Sequence, residues 1–274
     1  MPEIAIIIVN WNTKDLLRAC LESIYKYPPH VDFEVIVVDN ASTDGSPEMV
    51  KAEFPQVVLI QNEENVGFAK ANNQAIRQSE SNFVLLLNSD TEVLKGSIDE
   101  LYGLMQETPK IGIAGPLIRN SGNQIEESCG NIQTPIAILA TKLSRISPAL
   151  ASFTRRLASH RTPKGLECVG WVTGACMLIR RTMLNDIGLF DESFFMYFED
   201  SDLCYRASRA GWHVMVDESI EIFHHRGASK AIKSQPNKFY RKSMRRFYGK
   251  HFICFKSKPQ NSKATLDRSS GIGL

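Results

Sequence analysis

The sequence predicts an α/β fold, a doubly wound and mainly parallel sheet with helices on both faces. Apolar runs at Ile4 to Val9, Phe33 to Val38, Val57 to Ile60 and Phe83 to Leu87 are short and unbroken. They lack the helical period and do not alternate with polar residues, which is the pattern of strands buried on both faces. Between them lie segments with helical spacing, so strand and helix alternate, and right-handed crossovers bring the strand ends to one edge of the sheet. Each run also stops at a cluster of Asn, Asp, Ser or Gly. Ligands of open α/β sheets collect at the carboxyl ends of strands, so these clusters are expected to converge on a site.

Taken in order, Ile4 to Val9 ends at Asn10-Trp11-Asn12-Thr13, and Leu16, Leu17, Cys20, Leu21, Ile24 and Tyr25 follow at helical spacing. Phe33 to Val38 ends at Asp39-Asn40-Ala41-Ser42-Thr43-Asp44-Gly45, after which Ser46 is expected to cap a helix with Pro47 at its first position. After the third strand, Asn62 to Gly67 reads as a loop and Phe68 to Gln78 as a helix. The fourth strand stops at Asn88-Ser89-Asp90, which places the Asp90 carboxylate where a hard cation or a phosphate-bearing ligand is met. Ser97-Ile98-Asp99-Glu100 has capping-box form and opens a helix through Met105, and Ile111 to Ile118 is a fifth strand.

At 274 residues and 43% hydrophobic content the chain has ample material for a sizeable core. The net charge of +2 conceals an uneven distribution: Ser128 to Leu166 holds no acid, and Asp267 is the only one beyond Glu221. No stretch reaches the roughly 20 apolar residues of a membrane span, and Met1-Pro2-Glu3 does not open a signal peptide, so a cytoplasmic location is expected. Cys20, Cys129, Cys168, Cys176, Cys204 and Cys254 form no C-x-x-C pair, and several sit inside apolar patterns, so buried reduced thiols are expected rather than bridges or zinc ligands.

Three ordered motifs resemble the signatures of family 2 glycosyltransferases, most closely the rhamnosyltransferase-like branch. They are Val37-Val38-Asp39-Asn40-Ala41-Ser42-Thr43-Asp44-Gly45, Asn65-Val66-Gly67-Phe68-Ala69-Lys70-Ala71-Asn72-Asn73 and Leu85-Leu86-Leu87-Asn88-Ser89-Asp90. The resemblance covers roughly residues 3 to 250. It implies a GT-A fold in a single domain over 1–256, with a nucleotide-sugar-binding half at 1–118 and an acceptor-binding half at 119–256 on the same sheet. It implies a UDP- or dTDP-type donor, since an aspartate such as Asp39 accepts the imide N–H of a pyrimidine and Asn10, Asn12 or Ser42 completes the pairing. Asn40, Asp44, Asn65, Phe68 and Asn72 fall within the same nucleotide-binding motifs. Gly67 is expected to allow close backbone approach, and the helix after it to offer its amides to a diphosphate. The family's strand-end motif has two aspartates flanking one residue. Here the first is Asn88, so Asp90 keeps the metal role, for Mg2+ or Mn2+, while Asn88 and Ser89 are sugar-nucleotide contacts.

In the second half, Arg119 to Thr134 reads as loop or irregular hairpin, and 136–161 is a basic amphipathic segment suited to an anionic membrane surface and a lipid-linked acceptor. By resemblance, the strand at Glu167 to Arg180 carries sugar contacts at Trp171 and Gly174, although Gly170 stands where relatives often have an acid. The aromatic run Phe194-Phe195-Met196-Tyr197-Phe198 leads into Glu199-Asp200-Ser201-Asp202 at a helix start, a setting in which desolvation raises a carboxylate's proton affinity. The resemblance makes Asp200 the general base and Glu199 its support. Asp202 with Arg206 reads as an i, i+4 helix pair. Gly211 stops that helix, and His213 to Val216 and Ile220 to Phe223 read as short strands. His224 matches the histidine that completes the family's metal site, with His225 as the fallback and Arg226 and Ser229 beside the diphosphate. Phe239, Tyr240, Met244, Phe247 and Tyr248 form one face of a last helix, opposite a basic side; residues 257–274 read as a disordered tail.

Two other classes fit less well. A sugar nucleotidyltransferase wants a glycine-rich basic loop after the first strand, and Asn10-Trp11-Asn12-Thr13 is not one. A nucleic-acid-binding module is disfavoured by the near-neutral charge and the lack of a reading motif.

Overall fold

The computed structural model describes residues 1–132, 134, 163–225 and 236–252. The segment at 136–161, Arg226, Ser229, Cys254 and the tail from 257 lie outside the described residues. The chain opens as β1 (Ile4–Asn10), α1 (Lys14–Lys26), β2 (Phe33–Asp39), α2 (Ser46–Glu53), β3 (Val58–Gln61), α3 (Phe68–Gln78) and β4 (Phe83–Asn88). It continues through β5 (Thr91–Val93), α4 (Ser97–Glu107), β6 (Ile111–Asn120), β7 (Cys129–Gly130), β8 (Leu166–Cys168), β9 (Trp171–Val172) and β10 (Cys176–Arg180). It closes with α5 (Arg181–Ile187), α6 (Glu199–Arg209), β11 (His213–His224) and α7 (Pro236–His251).

One nine-stranded sheet runs in the order β3-β2-β1-β4-β10-β6-β11-β5, with β8 also on β11. β1, β2, β3 and β4 pair in parallel, as their unbroken apolar runs predict. The expected burial on both faces holds for β1, β4 and most of β2, but not for β3 at the sheet edge, where Val58 is exposed and Leu59 and Ile60 are half-buried. Ile4, Ile6 and Ile8 pack with Leu17 and Leu21 of α1, Met49 and Val50 of α2 and Ile98 of α4, while Ile7 packs with Ala71 and Ile76 of α3 and Leu203 of α6. The free thiols of Cys20, Cys129, Cys176 and Cys204 are buried, and that of Cys168 is exposed.

Several local expectations are corrected. The helices at Ser46 and Ser97 begin one residue earlier than a serine cap requires. Gly45 and Gly96, in left-handed conformation at φ 82° and 83°, turn the chain into each helix, and neither serine caps it. Ser97 Oγ instead donates to the Leu94 carbonyl at 2.8 Å, so no capping box forms. The two short strands expected at 213–216 and 220–223 are one strand, β11, whose register shifts between Asp217 and Glu221. The stretch read as one strand from 167 to 180 is three, and its last piece, β10, enters the sheet antiparallel between β4 and β6.

Candidate active site

The polar loops after β1 and β2 hold one another. Asn10 lies between them, donating from Nδ2 to Asp39 Oδ1 at 2.8 Å and to Ser42 Oγ at 3.1 Å. The Ser42 amide reaches Asp39 Oδ2 at 2.8 Å, and Asn12 Oδ1 accepts the Thr43 amide at 2.7 Å. Asn12 and Ala41 take positive φ, 55° and 61°, so this pinned loop pair keeps two non-glycine residues in a sparsely populated conformation. Asp44 accepts the amides of Lys14 and Ser46, which ties the start of α1 to the start of α2.

At the end of β4, Asp90 faces β11. Its Oδ1 lies 3.1 Å from His224 Nε2, and His224 Nδ1 lies 2.9 Å from Glu126 Oε2. The antiparallel pairing of β5 with β11 sets His224 opposite Thr91, which brings residues 90 and 224 together. Burial disfavours the imidazolium, but Asp90 and Glu126 outweigh it and raise the His224 pKa above its ordinary value. His225 turns the other way, with Nε2 2.5 Å from Glu92 Oε1 and its amide on the Asp90 carbonyl. Among the described residues no three His, Cys, Asp or Glu side chains form a ready-made metal cage. Asp90 and His224 Nε2 would offer two donors to a divalent ion, with the imidazole oriented through Nδ1 by Glu126.

Opposite this pair, α6 begins with Glu199 and Asp200. The two residues before it, Tyr197 and Phe198, both sit at positive φ, 68° and 67°. Asp200 Oδ2 accepts the Gly174 amide at 3.2 Å, and Oδ1 accepts the Ser201 amide at 2.6 Å. A Cβ at Gly174 would lie 3.0 Å from the Phe68 ring and 4.0 Å from the Asp200 Cβ, so the turn before β10 passes close between the two and a side chain there would push on the Phe68 ring. Desolvation raises the pKa of both carboxyls, and at Glu199 the charge of Asp200 adds to it. The next acid, Asp202, is fully buried and accepts from Arg206 at 2.8 Å and from Lys250 and His251 at 2.7 Å. The expected helix pair is therefore also the anchor that fastens α7 to α6.

Asp90, Asn88, Ser89, Glu199 and Asp200 all line one cleft of about 480 Å³, a volume suited to a small-molecule ligand. Residues 5–188 match the family profile described as "Glycosyl transferase family 2". The chain belongs to glycosyltransferase family 2. It is 33% identical over 211 residues to the "N-acetylglucosaminyl-diphospho-decaprenol L-rhamnosyltransferase" of Mycobacterium tuberculosis, covering 71% of this chain and 67% of that one. It is 27% identical over 270 residues to the "Low-salt glycan biosynthesis hexosyltransferase Agl10" of Haloferax volcanii, covering 97% and 81%. Solved structures with the same fold include the mannosyltransferase PcManGT from Pyrobaculum calidifontis in complex with GDP-Man and Mn2+, at 19% identity and a TM-score of 0.57. S. aureus TarS 1-349 in complex with UDP aligns at 18% identity and a TM-score of 0.55. This chain is covered to 84% and 81% in those alignments and spans 58% and 60% of the solved chains. The fold is GT-A, and the protein is a glycosyltransferase.

Of the residues expected to bind the nucleotide sugar, Asn40, Asn65, Phe68, Asn88, Ser89, Trp171 and Gly174 line this glycosyltransferase's cleft. Asn10, Asn12, Asp39, Ser42 and Asp44 do not line it and lie in the pinned loops, Asn10 and Asp39 buried and Asn12 and Asp44 exposed. Asn72 is buried and donates to the Phe68 carbonyl within its own helix. At the start of α3 the Gly67 amide goes to Asn65 Oδ1 and the Phe68 amide to the Phe195 carbonyl, so these two are not the amides open to an anion. Gly67 is required by its own backbone, at φ 86° and ψ 170°, and by Phe195, whose carbonyl would lie 2.6 Å from any Cβ. At Gly170 a Cβ would meet the Ile132 amide at 2.4 Å, which explains why no acid stands there.

Sequence reasoning missed Glu126 and Thr13 as site residues, and it named Tyr197, Phe198, Tyr240, Phe247 and Tyr248 without joining them as the aromatic wall of one cleft. Thr13 donates to Asn10 Oδ1 at 2.7 Å and lies 2.7 Å from Ser89 Oγ, which links the loops after β1 and β4.

Proposed function

We propose that this glycosyltransferase transfers a sugar from a UDP- or dTDP-linked donor, with dTDP-rhamnose the first candidate, to a lipid-linked glycan acceptor in surface polysaccharide assembly. The observation that carries this reading is the placement of Asp90, paired with His224, and the two carboxyls Glu199 and Asp200 around one cleft. The rhamnosyltransferase similarity supports the donor and the acceptor class. The nucleotide end belongs to 1–118 and the acceptor end to 119–256. Among the described residues no helix is long and apolar enough to cross a membrane, and the reading places the protein peripherally at the inner membrane face.

In this reading Asp90 and His224 Nε2 hold Mg2+ or Mn2+, with Glu126 fixing the imidazole so that Nε2 points toward Asp90. The ion, when bound, offsets the charge that develops on the leaving diphosphate. Asp200, raised in proton affinity by burial, takes the proton of the acceptor hydroxyl as that oxygen attacks the anomeric carbon. The displacement occurs in one step and inverts the configuration. The Gly174 and Ser201 amides hold the Asp200 carboxylate in place through the transfer. The aromatic wall excludes water and offers ring faces to the acceptor sugar.

A thermal-shift panel of nucleotide sugars, with and without Mn2+, tests the donor assignment. Stabilisation by dTDP- or UDP-sugars that requires the metal and disappears in Asp90→Ala is expected. Equal stabilisation by purine and pyrimidine sugars, or none by any, would overturn it.

A further inference from the structure

The last helix presents two contrasting faces. Its inner side holds buried Ser243 and Phe247, and His251 bound to Asp202, while Tyr240, Phe247 and Tyr248 line the cleft. Lys238, Arg241, Lys242 and Arg245 recur at i, i+3, i+4 and i+7, so they form one stripe along the opposite side, and all four are exposed. The helix contains no acidic residue. Among the described residues its ion pairs are those of Lys250 and His251, which leaves the stripe without a carboxylate partner. Phe239, stacked on Phe195 and 38% exposed, sits on the flank of the stripe beside Lys238 and Lys242.

We propose that the Lys238–Arg241–Lys242–Arg245 stripe of α7 docks on an anionic bilayer surface and so sets the cleft mouth at the membrane. The inference rests on the lipid-linked acceptor proposed above. A stripe of cations along one straight helix face, spanning about 10 Å, complements a plane of anionic headgroups. A half-exposed aromatic ring at its edge suits the headgroup layer. The same helix forms a cleft wall on its other side, so docking one face delivers a membrane-held sugar to the other. Nucleic acid is the less suitable occupant, because single strands are held by several aromatic platforms in a row, whereas the one ring flanking the stripe, Phe239, is already stacked on Phe195.

The test uses the full chain with sedimentation against vesicles of phosphatidylglycerol and phosphatidylcholine, or of phosphatidylcholine alone, at low and high salt. Binding to the anionic vesicles only, weakened by salt, is expected. The combined variant Lys238→Gln, Arg241→Gln, Lys242→Gln, Arg245→Gln should lose about fivefold in partitioning per charge and a few hundredfold in all. The charge-preserving pair Arg241→Lys, Arg245→Lys should bind as the parent does. Both variants should keep the donor-dependent thermal shift and the rate on a water-soluble acceptor analogue, while only the first loses rate on an acceptor embedded in vesicles. Retained vesicle binding in the four-fold variant overturns the inference, as does equal binding to neutral vesicles, no binding by the parent, or preference for oligonucleotide over vesicle. Loss of the donor shift in the parent would instead strike the proposed transfer reaction.

Discussion

Replacing Asp200 by Asn tests the base assignment with little change of shape. In the parent, Oδ1 accepts from the Ser201 amide at 2.6 Å and Oδ2 from the Gly174 amide at 3.2 Å. Asparagine keeps the first contact and turns an N–H toward the second, a mismatch costing about 1–3 kcal/mol. Against this, the substitution removes a buried carboxyl whose desolvation already raises its pKa, and next to Glu199 it removes a like charge. The two effects oppose, so the variant should fold and bind the donor nucleotide within about threefold of the parent. Catalysis has no such compensation. Loss of a general base removes about 10²- to 10⁴-fold in kcat, or about 2.7–5.4 kcal/mol of barrier. Initial rates at saturating donor and acceptor, alongside nucleotide titration, separate the two outcomes. The parent's rate should fall on the acid side through a pKa above that of an ordinary aspartate, because the base must be ionised, and the variant's residual rate should lack that limb. A variant turning over within threefold of the parent, with the acid limb intact, would refute the assignment.

Three further outcomes follow from the geometry. Glu126→Gln should weaken Mn2+ binding about 10- to 100-fold, measured by titration in the presence of nucleotide, while metal-free folding is kept; unchanged affinity, where Asp90→Ala has lost it, would exclude a role for Glu126 in orienting His224. Glu199 is buried with its pKa raised well above the usual range, so the folded state holds its proton to higher pH than the unfolded chain does, and stability falls as pH rises through that window. Glu199→Gln should therefore gain stability relative to the parent above the raised folded pKa and lose that advantage below about pH 4, as read from denaturant midpoints across pH; a pH-independent difference would contradict it. Gly67→Ala should lower Tm by roughly 4–8 °C, from about 2 kcal/mol of backbone strain and collision with Phe195, and an unchanged Tm would remove that account.

Much of the first half was legible because its signals are local. Buried parallel strands need unbroken apolar runs, and β1, β2 and β4 carry them, so Asn10, Asp39 and Asn88 fall where the pattern of residues ends. The helix starts were misjudged by one residue because Gly45 and Gly96, whose left-handed backbone fits neither strand nor helix, do the turning. The α3 start holds a contact of another kind. The Phe68 amide looks free in the sequence, but the Phe195 carbonyl occupies it from more than a hundred residues away, and nothing local announces that. Glu126 was invisible on similar grounds. It stands in a stretch rich in Asn, Gly and Ser, and is buried where its amide returns to the Ile118 carbonyl at 2.8 Å and its carboxylate meets His224.

The relation between the two ends of the cleft depends on an element the apolar pattern did not resolve. β10 pairs antiparallel with β4, Cys176 opposite Leu87, and the Asn88 amide reaches the Ala175 carbonyl at 3.0 Å. That register holds Gly174 where its amide meets Asp200, and a slip of one residue would turn β10's side chains to the wrong face and withdraw that amide. The sheet register therefore fixes the turn that carries Gly174 beside the turn that carries Asp90. The orientation of Asp200 requires one more constraint, since Tyr197 and Phe198 enter α6 in a left-handed conformation that costs bulky residues about 1–2 kcal/mol each. Local propensity opposes this turn. What offsets it comes from α7: Phe247 packs against Phe198 at 5.5 Å between ring centroids, Ser243 donates to the Met196 carbonyl at 2.7 Å, and Lys250 and His251 close on Asp202. A helix near the end of the described chain thus holds the strained turn before α6, and with it the carboxylate assigned as base.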